Sequence, residues 1–217
     1  MPIPSPAAAD QDPSPAGPLL PLLARALEFW LRQRCEAVGQ LDLKLEGTLA
    51  HLLRGHLQGA RLQARQVVFQ DLSLERVDLR SEPIQIGVAR LMRGQSLRLE
   101  EPFLVRGSVV LTGDGLSRSL GMPQWGELAD LLSRELLEGL PLAAVQLQND
   151  HLIFLARRDG ELQSVQTHLL LTSQGLQVCA LDGQPALPIP MDAAIRLNRA
   201  EVRDGLLELA GEALVQP

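Results

Sequence analysis

The residues of this chain that could perform chemistry are few, and they stand far apart. The sequence holds four histidines, His51, His56, His151 and His168. Spacings of five and seventeen residues, without cysteine or carboxylate partners in a ligand pattern, do not describe a metal site. The sequence therefore predicts histidines that are solvated or packed in the core, and no bound metal.

Nucleophilic serines also lack visible partners. No G-x-S-x-G turn occurs, and Ser117 and Ser119 stand in GLSRSLG, on a predicted helix without a local base. Asp150 and His151 could be read as part of a catalytic triad, but a hairpin turn with an ordinary solvated pair is the favoured interpretation. The sequence predicts no hydrolytic site.

Motifs for nucleotide binding and for paired carboxylates are absent as well. Neither G-x-G-x-x-G nor G-x-x-x-x-G-K-[ST] occurs in the sequence. Glu100 and Glu101 are adjacent, and adjacent strand residues point to opposite faces, so both are predicted to be turn acids. The sequence therefore predicts no catalytic residue, no cofactor and no enzyme activity.

The composition indicates an aliphatic interior and argues against one class of partner. Hydrophobic residues make up 46% of the 217 residues, whereas aromatic residues make up 3%. The net charge of −6 argues against nucleic-acid binding, which usually needs a concentrated basic face and stacking aromatics. Cys35 and Cys179 stand far apart in apolar surroundings and are predicted to be buried free thiols.

The N-terminal stretch MPIPSPAAADQDPSPAGP has no basic or apolar region, so residues 1–18 are predicted to be a disordered tail and not a signal peptide. The segment that follows, LLPLLARALEFWLRQR, is too short and too charged to span a membrane. These features predict a cytoplasmic protein, with residues 19–217 forming a single domain.

Helical periodicity begins the predicted domain. Over residues 21–38 the leucines share one side of a helix, with charged residues on the other side. Glu28 and Arg32 stand in the favourable i,i+4 order, and Gly39 is predicted to end the helix.

Alternation of apolar and polar residues then predicts antiparallel strands. It begins in LDLKLE, from Leu41 to Glu46, where leucine takes every second position. Candidate strands cover residues 41–45, 57–64, 72–79, 84–88, 97–99 and 105–111. Glycines within or beside these strands predict bulges or bends, and therefore a strongly curved sheet.

A pair of helices interrupts the strands in mid-chain. Asp114 is predicted to cap a short helix that ends at Gly121, and a second helix covers about residues 124–138. Alternation resumes after Pro141, with turns at residues 158–160 and 173–175 and a strong hairpin signal at Asp204 and Gly205. The pattern predicts an α+β fold, in which a strongly curved antiparallel sheet wraps around the long N-terminal helix and the mid-chain helix pair.

The order of these motifs resembles the LmeA-like phospholipid-binding family, a former domain of unknown function common in actinobacteria and cyanobacteria. The likeness rests on a strand ending near Gly47, a strand over residues 55–64, the pair Pro83-Ile84, and Leu111-Thr112 followed by Leu116 and Leu120. It covers roughly residues 40–215. The resemblance implies a fold similar to tubular lipid-binding proteins, in which a curved sheet wraps a long helix and holds acyl chains.

The same resemblance implies non-catalytic binding, and possible transfer, of phospholipid or glycolipid acyl chains in an aliphatic groove between sheet and helix. The predicted lining residues are Leu23, Leu27, Trp30, Leu43, Leu45, Leu57, Leu62, Leu128 and Leu132. Arg61, Arg65 and Arg106 are candidates to meet a phosphate head group. Peripheral contact with a membrane is also expected, through the few aromatic residues.

The sequence leaves an alternative open. If the leucine-rich face only packs on the helices, the groove is filled by the protein's own side chains. The chain would then be a scaffold or interaction protein that binds a partner through a sheet edge. Periodicity alone cannot distinguish this alternative from lipid binding.

Overall fold

The computed structural model describes residues 19–85, 101–181, 183 and 185–216. The predicted disordered tail, residues 1–18, lies outside these ranges, as do most of the predicted strand at 84–88 and the whole of that at 97–99.

Four α-helices and a short 3-10 helix occur in the described part of the chain. They are α1 (Leu19–Arg34), α2 (Leu49–Leu53), α3 (Gly113–Leu120), the 3-10 turn Pro123–Trp125 and α4 (Gly126–Leu136). The long N-terminal helix and the mid-chain helix pair were predicted. The short helix α2 was not, because five residues are too few to show a helical period.

The remaining elements are strands. They are β1 (Ala37–Glu46), β2 (His56–Leu57), β3 (Gly59–Phe69), β4 (Leu72–Ser81), β5 (Ile84–Gln85), β6 (Phe103–Thr112), β7 (Leu142–Gln148), β8 (His151–Arg158), β9 (Glu161–Thr172), β10 (Gly175–Ala180), β11 (Leu187–Pro188), β12 (Ile195–Arg203) and β13 (Leu206–Val215).

The strands form two main antiparallel sheets. The first sheet has six strands in the order β1-β3-β4-β6-β13-β12, and the second has five in the order β11-β10-β9-β8-β7. The strands β2 and β5 make a separate two-stranded pair. The predicted α+β class with antiparallel strands is confirmed, while the division of the strands between two sheets is not visible in their alternation.

Several of the hairpins use two-residue turns whose residues both have positive φ. Asp204 and Gly205 have φ of 53° and 72°, and Asp159 and Gly160 have φ of 51° and 87°. These are the left-handed values that the tightest hairpins require, and Asp-Gly sequences adopt them readily. The predicted hairpin between the last two strands is confirmed.

Two predicted helix boundaries are wrong. The first helix ends at Arg34 and not at Gly39, because Ala37 and Val38 already pair with β3. Gly39 lies inside β1, where an added Cβ would stand 2.9 Å from Oε1 of Gln66. The cap of α3 is the side chain of Thr112, which accepts a hydrogen bond from the Gly115 amide at 3.0 Å, and not that of Asp114.

The main core lies between the two sheets and the mid-chain helices. Buried residues of α4, of the second sheet and of the β6-β13-β12 end of the first sheet pack together there. They include Leu111, Leu132, Leu136, Phe154, Val178, Val202 and Leu207. A smaller cluster joins Leu20 of α1 to Leu57 and Ile84. Helix α1 and the β2-β5 pair thus share an apolar cluster apart from the main core.

Candidate functional site

One face of the first sheet is apolar, and its strand register places six residues in a line across all six strands. The line runs through Leu43, Leu62, Leu79, Gly107, Gly211 and Leu197. We call this line the apolar track. Leu43 is buried at 8% exposure, whereas Leu62, Leu79 and Leu197 remain partly exposed. The track is therefore an aliphatic surface that is only partly covered.

The two glycines leave the middle of the apolar track without side chains. Gly107 and Gly211 face each other across β6 and β13, so neither strand contributes a side chain there. A Cβ on Gly107 would stand 2.0 Å from the Asp78 carbonyl oxygen, and one on Gly211 would stand 2.2 Å from that of Arg196. Both positions require glycine, because the neighbouring backbone occupies the space of a side chain.

Beyond Leu197 the apolar track ends at a depression of about 760 Å³. It lies between β12, the β10-β11 edge of the second sheet and helix α4. Its apolar lining includes Leu131, Leu187, Ile189, Met191, Ile195 and Leu197. A volume of this size falls within the range of about 300 to 1,000 Å³ that small-molecule sites occupy.

Helix α1 borders the opposite end of the apolar track, along the edge of β1. The Leu43 backbone N–H donates to Oε1 of Glu28 at 2.9 Å, and Arg32 donates to the Leu41 carbonyl oxygen at 3.4 Å. These groups belong to the free edge of β1, which would otherwise be open to another strand. Leu23 packs with Leu45 in the cluster around Leu57, so the helix also covers part of the apolar face.

The other face of the first sheet is charged. A line of cations, Lys44, Arg61, Arg80 and Arg106, crosses four neighbouring strands. Like charges directly opposite one another destabilise a sheet, so they need counter-ions.

Carboxylates on the same face supply these counter-ions. Arg61 lies 3.2 Å from Asp78, Arg80 lies 2.9 Å from Glu46, and Arg106 lies 2.7 Å from Glu82 and 3.3 Å from Glu212. Glu82 and Glu212 raise the pKa of Arg106 above its ordinary value. The Gln63 amide and then Arg61, both hydrogen-bonded to Asp78, hold the pKa of that carboxyl below its ordinary value of 3.8.

The predicted head-group residues stand on this charged face. Arg61 and Arg106 are both engaged by carboxylates, as described above. Arg65 faces Arg76 across β3 and β4, beside a depression of about 370 Å³. Because strand side chains alternate, all three arginines point away from the leucines of the apolar track.

Five of the nine predicted lining residues lie on the apolar track or at its α1 end. Leu43 and Leu62 belong to the apolar track, while Leu23, Leu45 and Leu57 pack together at its α1 end. Leu27 is partly buried on α1.

The other three predicted lining residues lie elsewhere. Leu128 and Leu132 belong to the main core, where Leu132 is 3% exposed. The Trp30 side chain is 50% exposed, and the guanidinium of Arg34 lies 5.1 Å from its ring centre. The nine residues therefore do not form one continuous wall.

Sequence reasoning missed the residues that extend the apolar surface toward β12. Leu79, Gly107, Gly211 and Leu197 lie in line only because of strand pairings between distant parts of the chain. Alternation within each strand predicts which face of the sheet a residue occupies, but it does not predict which residues of the adjacent strands lie beside it.

The polar residues considered for catalysis are not assembled into a site. Ser117 contacts the β7 backbone, where its Oγ accepts from the Val145 amide at 2.8 Å. His51 Nδ1 lies 3.1 Å from Thr48 Oγ1, while His151 Nδ1 is buried without a partner among the described residues. Within residues 19–85, 101–181, 183 and 185–216, no group of three or more His, Cys, Asp or Glu side chains could hold a metal.

Both cysteines are free thiols and partly buried. Burial, followed by the negative charge of Glu36, raises the pKa of the Cys35 thiol above 9.0, so this thiol stays protonated at neutral pH. No helix among the described residues is long and apolar enough to cross a membrane.

Comparison with known proteins gave one match. The model of a family described as LmeA-like phospholipid-binding matches residues 18–212 of the chain. No curated protein and no solved structure matches it.

Proposed function

The chain belongs to the LmeA-like phospholipid-binding family, and from this premise we propose that it holds an acyl chain of a phospholipid along the apolar track. The observation that supports this proposal most directly is the line of partly exposed leucines that leads to the apolar depression beside β12. The proposed role is binding without catalysis.

The length of the apolar track suits such a guest. Neighbouring strands lie about 4.8 Å apart, so a line across six strands is about 24 Å long. One leaflet of a bilayer has a hydrocarbon thickness of about 15 Å, half of the ~30 Å core. An acyl chain that fits one leaflet therefore also fits on the apolar track, with its head-group end at the depression.

Aliphatic contact can supply the affinity. Each methylene removed from water contributes about 0.8 kcal/mol. A chain of about twelve buried methylenes then gains on the order of 10 kcal/mol, which is comparable with the roughly 4 to 15 kcal/mol that association costs. A second chain, or contacts with the head group, would then determine how tightly the lipid is held.

For the phosphate we propose Arg196. It lines the depression beside Leu197 at the end of the track. The predicted candidates Arg61 and Arg106 would have to leave carboxylate partners on the opposite face of the sheet. The strand register pairs Arg196 with Glu212 on the charged face, but Arg196 lies on the edge strand β12 and lines the depression, and the Glu212 carboxylate is already bound by Arg106.

The alternative, a scaffold that binds a partner through a sheet edge, has less support. The free edge of β1 is capped by Glu28 and Arg32 of α1. The free edge of β7 is capped by Ser117 of α3, whose Oγ bonds both the amide and the carbonyl of Val145. Two of the edges on which a partner strand could add are therefore already occupied.

Native mass spectrometry of the protein purified from its own host tests the proposal, together with lipid extraction. We expect one phospholipid per chain. A protein that is reproducibly empty, and that also fails to bind a fluorescent fatty acid, would overturn the proposal and favour the scaffold.

A further inference from the structure

Helix α1 carries large apolar side chains on the side that does not pack on the first sheet. Leu22 is 58% exposed, Phe29 is 63% exposed and Trp30 is 50% exposed. Leu22 and Phe29 are seven residues apart, so they share one face of the helix. Leu20 lies on the opposite side and belongs to the cluster around Leu57, while Trp30 shares a flank of the helix with Leu23, which packs against that cluster.

This outer face is also cationic. Arg25 borders this face, and Arg32, which also donates to the Leu41 carbonyl oxygen of β1, and Arg34, which lies over the ring of Trp30, are exposed beside it. The only acid in the helix is Glu28, whose carboxylate accepts a hydrogen bond from the Leu43 amide of β1. The helix therefore presents positive charge and aromatic surface together, in a chain whose net charge is −6.

We propose that the outer face of α1 docks on a bilayer that contains anionic phospholipid. Helices of this kind lie in the membrane interface with the apolar face buried about 5 to 10 Å, while arginines contact acidic head groups. Trp30 and its neighbouring Arg34 suit the boundary between acyl chains and head groups. A second copy of the helix fits less well, because the two sets of arginines would repel each other.

The inference rests on the proposed function and adds where the lipid is acquired. Leu23 of α1 packs against the same cluster as Leu45, which is two residues along β1 from the start of the apolar track at Leu43 and on the same face. Docking through α1 therefore brings this end of the track to the membrane surface. An acyl chain can then pass from the bilayer to the track over a short distance.

Co-sedimentation of the full chain with vesicles tests the docking surface. We expect binding to phosphatidylcholine vesicles that contain one third phosphatidylglycerol, weak binding to pure phosphatidylcholine, and weakening by salt. Phe29→Ser should reduce partitioning about tenfold or more, because the ring no longer enters the interface. Arg25→Gln should reduce it about fivefold.

Leu162→Ser and Arg157→Gln are matched controls on the second sheet. Leu162 is 60% exposed, and Arg157 is an exposed residue of β8. Both variants should bind vesicles as the wild type does. If Phe29→Ser and Arg25→Gln bind as tightly as these controls, the docking surface is refuted. Conversion of a dimer to a monomer by Phe29→Ser, seen by analytical ultracentrifugation, would also refute it in favour of a second copy.

The two proposals fail in different ways. Vesicle binding that is insensitive to Phe29→Ser, with one lipid per chain still found by native mass spectrometry, overturns the docking surface alone. Vesicle binding that depends on Phe29, with a protein that is always empty, supports the docking surface and overturns the binding of lipid along the track.

Discussion

Gly107 and Gly211 lie directly opposite each other in the first sheet, and a side chain on either one would overlap the backbone of the next strand. The pair lies between Leu79 on one side and Leu197 on the other. The two glycines in register thus let β4 approach β6 closely and β12 approach β13 closely, and they leave a hollow in an otherwise aliphatic face.

Gly107→Ala should destabilise the protein strongly. The new methyl would meet the Asp78 carbonyl oxygen at 2.0 Å, so β4 and β6 must separate locally. Overpacking of this kind costs about 1 to 3 kcal/mol or more in the free energy of unfolding. Urea unfolding followed by circular dichroism measures the loss.

Gly126→Ala is the control for that experiment. Gly126 has helical φ and ψ of −56° and −43° at the start of α4, and an added Cβ would meet nothing within 4 Å. This substitution should be neutral or should stabilise the protein by up to about 1 kcal/mol, because alanine favours the helix. Equal destabilisation by the two variants would contradict the role assigned to the glycine pair.

Glu28→Ala should expose the edge of β1. The Leu43 amide would lose an acceptor at 2.9 Å, a charge-assisted hydrogen bond worth about 1.5 to 3 kcal/mol. An open strand edge also promotes association between chains. We expect a lower urea midpoint and a concentration-dependent increase in mass by light scattering. Glu161→Ala, at an exposed position of β9, is the control and should show neither effect. If Glu161→Ala lowers the urea midpoint and increases the mass as Glu28→Ala does, the edge-capping role of Glu28 is excluded.

Much of the fold follows from local chemistry. Helix α1, the strand pattern and the Asp204-Gly205 hairpin each depend on residues that are close in sequence, so periodicity and turn chemistry suffice to predict them. The end of α1 could not be predicted in the same way. Ala37 and Val38 leave the helix because they pair with β3, some thirty residues later in the chain.

Gln66 shows a second reason why alternation of apolar and polar residues cannot predict the whole fold. Its φ is 53°, and it stands between Ala64 and Val67, which pack in the same apolar cluster although three positions separate them. A regular strand would place these residues on opposite faces. A left-handed glutamine inside a strand has no sequence signature, so a residue-by-residue assignment of faces fails beyond this point.

The candidate site shows the same division. Alternation correctly predicts that Leu43 and Leu62 share a face that excludes Arg61, once their strands are paired. It cannot show that Leu128 and Leu132 of α4 pack into a different core, or that the depression beside β12 exists. Those features depend on how the two sheets are placed together, which no single segment of sequence determines.

Asp78→Asn should make stability less dependent on pH in the acid range. The folded pKa of Asp78 is lowered, so its carboxylate stabilises the protein at pH values above the ordinary 3.8, and this contribution is lost as the pH falls through the lower folded pKa. Because the pair with Arg61 is partly exposed, we expect a difference of at most about 1 kcal/mol at pH 7.

Urea unfolding of the wild type and of Asp78→Asn between neutral and acid pH tests this sign. The difference in unfolding free energy should be largest at neutral pH and should shrink below pH 3.8. A difference that grows as the solution becomes more acidic would contradict the lowered pKa.

Leu62→Asn and Arg61→Asn test which face of the first sheet takes the lipid. The two residues are neighbours in β3, but Leu62 lies on the apolar track while Arg61 pairs with Asp78 on the charged face. An asparagine on the apolar track would bury an amide without a partner beneath an acyl chain, at about 1 to 3 kcal/mol. Uptake of a fluorescent fatty acid should therefore fall about tenfold for Leu62→Asn and stay near the wild-type value for Arg61→Asn.

Circular dichroism and the urea midpoint of both variants must be measured alongside uptake, because asparagine at a partly buried position also weakens the fold. If Leu62→Asn is folded and takes up the fluorescent fatty acid as the wild type does, the apolar face is not the binding surface. If uptake is lost for Arg61→Asn instead, the lipid lies on the charged face, and its cations hold the head group in place of their carboxylate partners. Because successive side chains of β3 point to opposite faces of the sheet, these two neighbouring substitutions test one face each.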